Sequence, residues 1–355
     1  MGDLVNILLL TAHDIAEYDD LRMLTDLGYD VFSIGAYTDP TKPASEMRPA
    51  LDVPTHDGFE ALCNIQRELH AGDPMTVPML GEEHNVVDWA KADLHPDIIE
   101  WADVIVCHHY LIPWVWAQWD RIKHKRVIWR TCGQSNARLE EVMGDLRKQG
   151  LQIVRYSPKE EVAFTRLGVY AGADALIRFG KYPSDYGPWN GEDKVVGNLT
   201  QNMAGRGQFC GLSFWDEATV GLPSKPAGLQ SEALPNGIGG LTYDEMLAYL
   251  RDIRVHLYTG TQPASYTLSL IEAMMTGVPT VSIGPEYMWM PDLFEGHELA
   301  GNWSNSARTA GLMLRTILDD DEMAAGISVA TRERAIAVWG MDTVGPQWVD
   351  FLGKP

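Results

Sequence analysis

Val5 to Thr11 reads Val-Asn-Ile-Leu-Leu-Leu-Thr, a continuous apolar run that predicts a buried strand. Ala12 to Asp20 is polar and predicts a loop, Leu21 to Leu27 a short helix closed by Gly28, and Tyr29 to Ile34 the next strand. Strand, loop, helix, strand is the opening of a doubly wound sheet. The pattern then lapses between residues 36 and 100. Pro40, Pro43, Pro49, Pro54, Pro74 and Pro78 argue for loops and insertions there, and no strand is assigned. Alternation resumes as strand Asp103 to Cys107, helix Trp114 to Arg121, strand Arg126 to Thr131, helix Leu139 to Gln149 and strand Gln152 to Tyr156.

Arg178 to Glu192 is rich in Gly and Pro and lacks apolar periodicity, so it reads as a linker. The expected division is a domain at 1–180, a linker at 181–192, a second domain at 193–340 and a last helix at 341–355. That helix carries Val344, Trp348, Phe351 and Leu352 at helical spacing. The second domain opens with strand Lys194 to Gly197 and continues with helices Leu241 to Leu250 and Ala307 to Leu318. Between those helices lies the most informative stretch. Arg254 to Thr259 predicts a parallel strand, a polar loop leads directly into a helix, and Gly277 with Pro279 ends that helix and starts strand Val278 to Ile283. The first amides of such a helix are unpaired and can hold an anion. Glu272 sits mid-helix among Leu268, Ile271, Ala273 and Met274, where a carboxylate needs a hydrogen-bonding partner.

A chain of 355 residues exceeds the size at which one core keeps growing, which supports two domains. With 45% hydrophobic residues, 33 Gly and 20 Pro, it has the profile of a loop-containing α/β enzyme. No apolar run reaches membrane-spanning length and no signal peptide is evident, so no integral membrane segment and a cytoplasmic location are expected. Cys63, Cys107, Cys132 and Cys210 are widely spaced and form no Cys-x-x-Cys pair, which argues against a disulfide framework or a structural zinc. The net charge of −21 disfavours nonspecific attraction to nucleic acid or an anionic bilayer. The charge is uneven, however. Residues 121 to 166 carry 11 bases against 5 acids, so a nucleic-acid partner stays open only through that stretch.

Glu272-Ala-Met-Met-Thr-Gly-Val-Pro279 resembles the nucleotide-sugar end of glycosyltransferase family 4 and its GT-B relatives. The family pattern has an earlier Glu eight positions before the second; here that position is Ala264. The resemblance implies an α/β fold of two doubly wound, Rossmann-like domains facing each other across a cleft. It further implies transfer of a hexose from a nucleoside diphosphate sugar such as a UDP-sugar, with retention, to an acceptor the sequence does not identify. Glu272 would then bind the nucleotide ribose, and the backbone amides of Tyr266, Thr267 and Leu268 would face the donor diphosphate.

Other expectations attach to the same resemblance. His108, in Cys107-His108-His109-Tyr110 after a predicted strand, aligns with the active-site His of the family and would bind the sugar or stabilise charge; packing or capping is the alternative. Gly197 and Asn198 open a predicted loop whose family counterparts carry an Arg and a Lys for the diphosphate. Asn198 stands at the Arg position, and Arg206 before Gly207 is the surviving cation; a Gly- and Asn-rich surface turn is the alternative. Asn236 to Leu241 would lie at the base, followed by a helix that Thr242 and Glu245 cap as a box. His13, Asp14 and His109 are candidates on the acceptor side. No Asp-x-Asp motif or Cys/His cluster suggests a metal, and no cofactor is expected. The rival readings are a phage-type transferase acting on DNA bases, and a nucleotide-sugar-binding protein without transfer activity, the latter motivated by Ala264.

Overall fold

The structure is a computed structural model that describes residues 5–11, 13–34, 48–49, 51, 75–79, 82–86, 94–108, 112–133, 135–284, 291–294 and 296–355. The chain divides into two compact units, Met1–Gly180 with Gly345–Pro355, and Lys181–Val344.

In the first unit, strands β1 (Asn6–Leu10), β2 (Asp30–Ile34), β5 (Val104–His108), β6 (Arg126–Arg130), β7 (Gln152–Arg155) and β8 (Ala175–Leu176) form one parallel sheet in the order β2-β1-β5-β6-β7-β8. Helices α1 (Asp14–Asp26), α2 (Pro96–Trp101), α3 (Ile112–Ile122), α4 (Ala137–Arg147) and α5 (Lys159–Arg166) alternate with them. The chain order reverses between β1 and β5, where open α/β sheets place ligands beyond the strand ends. Two pieces differ from the sequence reading. The prolines between residues 36 and 100 leave room for an antiparallel hairpin, β3 (Met75–Met79) with β4 (Glu82–Val86). The expected polar loop at Ala12 to Asp20 is helical from Asp14, because its acids turn inward: Glu17 and Asp20 are buried, and Ser33 Oγ donates to Glu17 Oε1 at 2.7 Å.

The second unit repeats the plan with β9 (Asp193–Leu199), β10 (Ser224–Ala227), β11 (Ile253–Tyr258), β12 (Thr280–Ile283) and β13 (Trp303–Ser304), all parallel in the order β10-β9-β11-β12-β13. Its switch point lies between β9 and β11. The helices are α6 (Gly207–Cys210), α7 (Leu212–Ala218), α8 (Tyr243–Asp252), α9 (Leu268–Thr276), α10 (Pro291–Phe294), α11 (Ala307–Asp319) and α12 (Asp321–Trp339), and α13 (Met341–Leu352) carries the chain back into the first unit. Helix α12, capped by Asp320 on Met323 N at 2.9 Å, was not assigned from sequence. The Thr242/Glu245 capping box of α8 is present. The Gly- and Pro-rich stretch before β9 is packed: Trp189 Nε1 donates to Ile253 O at 2.7 Å, and Asn190 and Gly191 amides donate to Arg251 O.

Each sheet is filled from the strand residues outward. Leu8, Leu10, Ile105, Cys107, Val127, Trp129 and Ile153 centre one core; Leu199, Leu250, Ile253, Ala273 and Val278 centre another. In the second sheet His256 is fully buried with neither ring nitrogen hydrogen-bonded, and burial pushes its pKa down to about 3 from 6.5. The unfolded chain therefore takes up this proton near pH 6.5 while the native chain refuses it until about pH 3, so stability falls as pH drops through that window. We expect urea unfolding to show a loss on the order of 5 kcal/mol from this group across the window, with none above pH 7. His256→Leu should flatten the acid limb; an unaltered limb in that variant would assign the loss to other groups.

Candidate functional site

The second switch point gathers most of the residues singled out on the donor side. Strand β9 runs to Leu199, so Gly197 and Asn198 lie inside it and not in the expected loop. Gly197 is required by packing, since a Cβ there would stand 2.4 Å from Ile253 Cδ1 and 2.6 Å from Tyr249 Oη. Tyr249 Oη accepts from Asn198 N at 3.0 Å and donates to Lys225 O at 2.6 Å, which fixes the strand end; Asn198 Nδ2 donates to Leu257 O on β11 at 2.8 Å. Asn198 is 1% exposed and serves the sheet, so its side chain does not stand in for the expected cation.

Beyond β9 the chain turns through Arg206, a half-buried residue that precedes α6. This turn packs against the loop that follows β11. Gln262 N donates to Phe209 O at 2.7 Å, Cys210 Sγ lies 4.0 Å from Thr261 Oγ1, and a Cβ on Gly211, at φ +66°, would stand 3.1 Å from Thr259. Burial raises the Cys210 thiol, and the nearby Arg206 guanidinium opposes that shift. Arg206 and the loop leading to α9 are thus brought to one sheet edge.

Of the three amides expected to face an anion, that of Thr267 is already used: it donates to Tyr258 Oη at 2.8 Å, at the end of β11. Burial pushes the Tyr258 hydroxyl well above its ordinary pKa, which keeps it a neutral partner. Tyr266 is 1% exposed and meets the Trp339 ring edge-on at 5.5 Å. Thr267 caps α9 without a side-chain hydrogen bond, its hydroxyl pairing with Ser269 Oγ at 2.9 Å, so the Leu268 and Ser269 amides begin the helix uncapped by it. Glu272 is 2% exposed and pairs with Lys181 Nζ at 3.1 Å. Lys181 was read from sequence as a linker residue; nothing in its neighbours signalled the pair, which joins positions 91 residues apart. Ala264, in place of the earlier acid, is buried.

In the first unit, His108 ends β5 at the other switch point and is 1% exposed. Its Nε2 lies 3.0 Å from Asp20 Oδ2, and Arg130 Nε lies 2.8 Å from the same oxygen. Burial alone would raise the Asp20 carboxyl, but Arg130 and then His108 outweigh it and hold it below its ordinary 3.8. Asp20, an ionised acceptor, accepts a hydrogen bond from Nε2–H and leaves Nδ1 buried without one. Asp20 and Arg130 were not singled out in sequence, because a lone acid in a polar stretch and one base in a basic run carry no motif. His13 caps α1, its Nδ1 accepting from Ala16 N at 3.4 Å; Asp14 is the first residue of that helix. His109 lies outside the described residues.

The bases of the stretch at 121 to 166 divide between buried positions, such as Arg130 and Arg155, and exposed ones, such as Lys123 and Lys148. Nine of its 11 bases have a partner. Arg126 donates to the Phe351 and Leu352 carbonyls at 2.6 and 2.9 Å, and Arg155 pairs with Glu140 at 2.7 Å and stacks 5.4 Å over Trp129. Beside it, burial pushes Glu160 up to about 7, against the pull of Arg155. Among the described residues no helix is long and apolar enough to cross a membrane.

Similarity to solved structures now bears on this geometry. A sucrose-phosphate synthase from Thermosynechococcus elongatus is 14% identical, with a TM-score of 0.68 over 98% of both chains. HepE from Anabaena, solved with UDP and glucose and with UDP-glucose, is 14% identical, with a TM-score of 0.67 over 99% of this chain and 100% of its own. A glycosyltransferase from Rickettsia africae is 11% identical, with a TM-score of 0.66 over 99% and 100%. No protein-family model matches the chain, and no curated protein matches it in sequence. The fold is that of the GT-B glycosyltransferases, built from two Rossmann-like domains.

Asp20→Ala would leave Arg130 buried without its counter-ion, and we expect a loss of about 3–5 kcal/mol in denaturant unfolding. Lys123→Ala, which removes only an exposed pair with Asp120, should cost less than about 1 kcal/mol. Equal, small losses in the two variants would remove Asp20 from its central place in the unit.

Proposed function

We propose that the protein is a glycosyltransferase that moves a hexose from a nucleoside diphosphate sugar, a UDP-sugar first among candidates, to an acceptor, with retention at the anomeric carbon. The observation that carries this reading is the edge of the second sheet, where Arg206 and the start of α9 converge at the switch point with Glu272 one turn further along. HepE, which shares the fold, holds UDP and UDP-glucose. Residues 193–340 would bind the donor and residues 1–180 the acceptor, with His13, Asp14 and His109 on the acceptor side.

In this reading the leaving diphosphate meets the Leu268 and Ser269 amides, the positive end of the α9 dipole and the Arg206 guanidinium. A helix end and a guanidinium together supply charge without a divalent ion, so the reaction is proposed to be metal-independent. Glu272 accepts from the ribose hydroxyls, and His108 offers Nδ1 to a sugar hydroxyl while Asp20 holds Nε2. Buried free thiols at Cys107 and Cys210 fit a reducing compartment such as the cytoplasm. A second reading, donor binding without transfer, is favoured by Ala264 in place of the earlier acid; detection of a glycosylated product would exclude it.

A nucleoside diphosphate that binds only the native state should raise stability by about 2.7 kcal/mol at a hundredfold excess over its dissociation constant. We expect UDP to raise the melting temperature more than GDP, and Glu272→Ala to blunt the shift. Folded protein that responds to no common nucleoside diphosphate would leave the fold standing without this function.

A further inference from the structure

Lys181 is the first residue of the second unit, and both its backbone and its side chain are committed. Its N donates to Trp339 O at 2.8 Å and its O accepts from Met341 N at 3.1 Å, so it bridges Gly340 between α12 and α13 in parallel register. That junction admits no side chain at Gly340, where a Cβ would stand 2.5 Å from Ile336 O. From this anchored backbone the ammonium reaches Glu272 Oε1 at 3.1 Å, both side chains being almost fully buried. The preceding residue of the junction, Trp339, packs on Tyr266 two positions before α9 begins. One lysine therefore joins the α12–α13 junction to the side chain that the corner presents.

We propose that Lys181 is the positioning residue for the ribose carboxylate: it holds Glu272 in the one orientation from which the carboxylate accepts the ribose hydroxyls. This rests on reading the corner as a nucleoside diphosphate site. A glutamate side chain has three rotatable bonds, and a buried cation on a doubly hydrogen-bonded backbone restricts them before the ligand arrives. Preorganisation of this kind appears as discrimination, because an acceptor fixed at the hydroxyl position is left unpaired when that hydroxyl is missing.

The test compares UDP with 2′-deoxy-UDP, and UDP with 3′-deoxy-UDP, by calorimetry on the full chain. Wild-type protein should prefer UDP over at least one deoxy analogue by about 10- to 100-fold, the range for a hydrogen bond to a charged group. Glu272→Gln should reduce that preference, which checks the ribose reading itself. Lys181→Met keeps the length of the side chain and removes its charge; it should bring the ratio to within about threefold of one, while Lys181→Arg should recover part of it. If Lys181→Met does not fold, Lys181→Gln, which retains a donor, is read by the same ratio. A lysine that only stabilises the fold would lower the melting temperature, weaken all three nucleotides alike and leave the ratio untouched, and that result overturns the proposal. Wild-type protein that binds UDP and its deoxy analogues equally overturns the ribose reading, a failure seen before any Lys181 variant is made.

Discussion

A guanidinium with no access to solvent is costly to bury unless charge, hydrogen bonds and aromatic faces replace its water, and Arg130 receives all three. Asp20 on α1 supplies the charge, the Ile177 and Arg178 carbonyls after β8 accept at 3.2 and 3.1 Å, and the rings of Phe179 and Trp348 lie 5.0 and 4.9 Å from its centre. Those partners come from three separate stretches of the first unit, so the position of each depends on the same cation. His108 inherits its orientation from this arrangement through Asp20. A residue proposed to act on the sugar is thus held by groups whose main task is to make a buried charge tolerable.

The second unit reaches its site by different means. Two tyrosine hydroxyls, Tyr249 and Tyr258, stand at the ends of β9 and β11 and pin the backbone on which the corner is built. Neutral posts suit this location: they satisfy buried amides without adding charge beside groups expected to meet a diphosphate. Small residues do the rest. Gly197 lets α8 approach β9, and Gly211 lets the Arg206 turn close against Thr259. The Arg206 turn and the loop that leads to α9 share one sheet edge because of those two close approaches.

The strands were legible because parallel strands covered on both faces are nearly continuous apolar runs, and the predicted strands at Asn6–Leu10, Val104–His108 and Thr280–Ile283 are found within a residue or two of their expected bounds. The α9 corner was legible because Gly277 and Pro279 punctuate it. What escaped is polar and internal. Helix α1 begins seven residues before the expected Leu21, since Glu17 and Asp20 point into the protein and periodicity counts them as solvent-facing. The basic stretch looked like a surface for the same reason: Arg130 and Arg155 are buried cations, and sequence does not record where their counter-ions lie. Lys181 and Glu272, Asp20 and Arg130 are long-range pairs, which no local pattern can announce.

The first unit is not contiguous in the chain: its last eleven residues, Gly345–Pro355, follow the whole of the second unit. Trp348, which covers one face of Arg130, is therefore made only after the second unit, and Tyr29, made before it, donates its hydroxyl to Gly353. Domains in most multidomain chains mature in the order of synthesis. Here the first unit draws on residues made after the whole of the second, so during synthesis its buried cation lacks the Trp348 face until the second unit has left the ribosome.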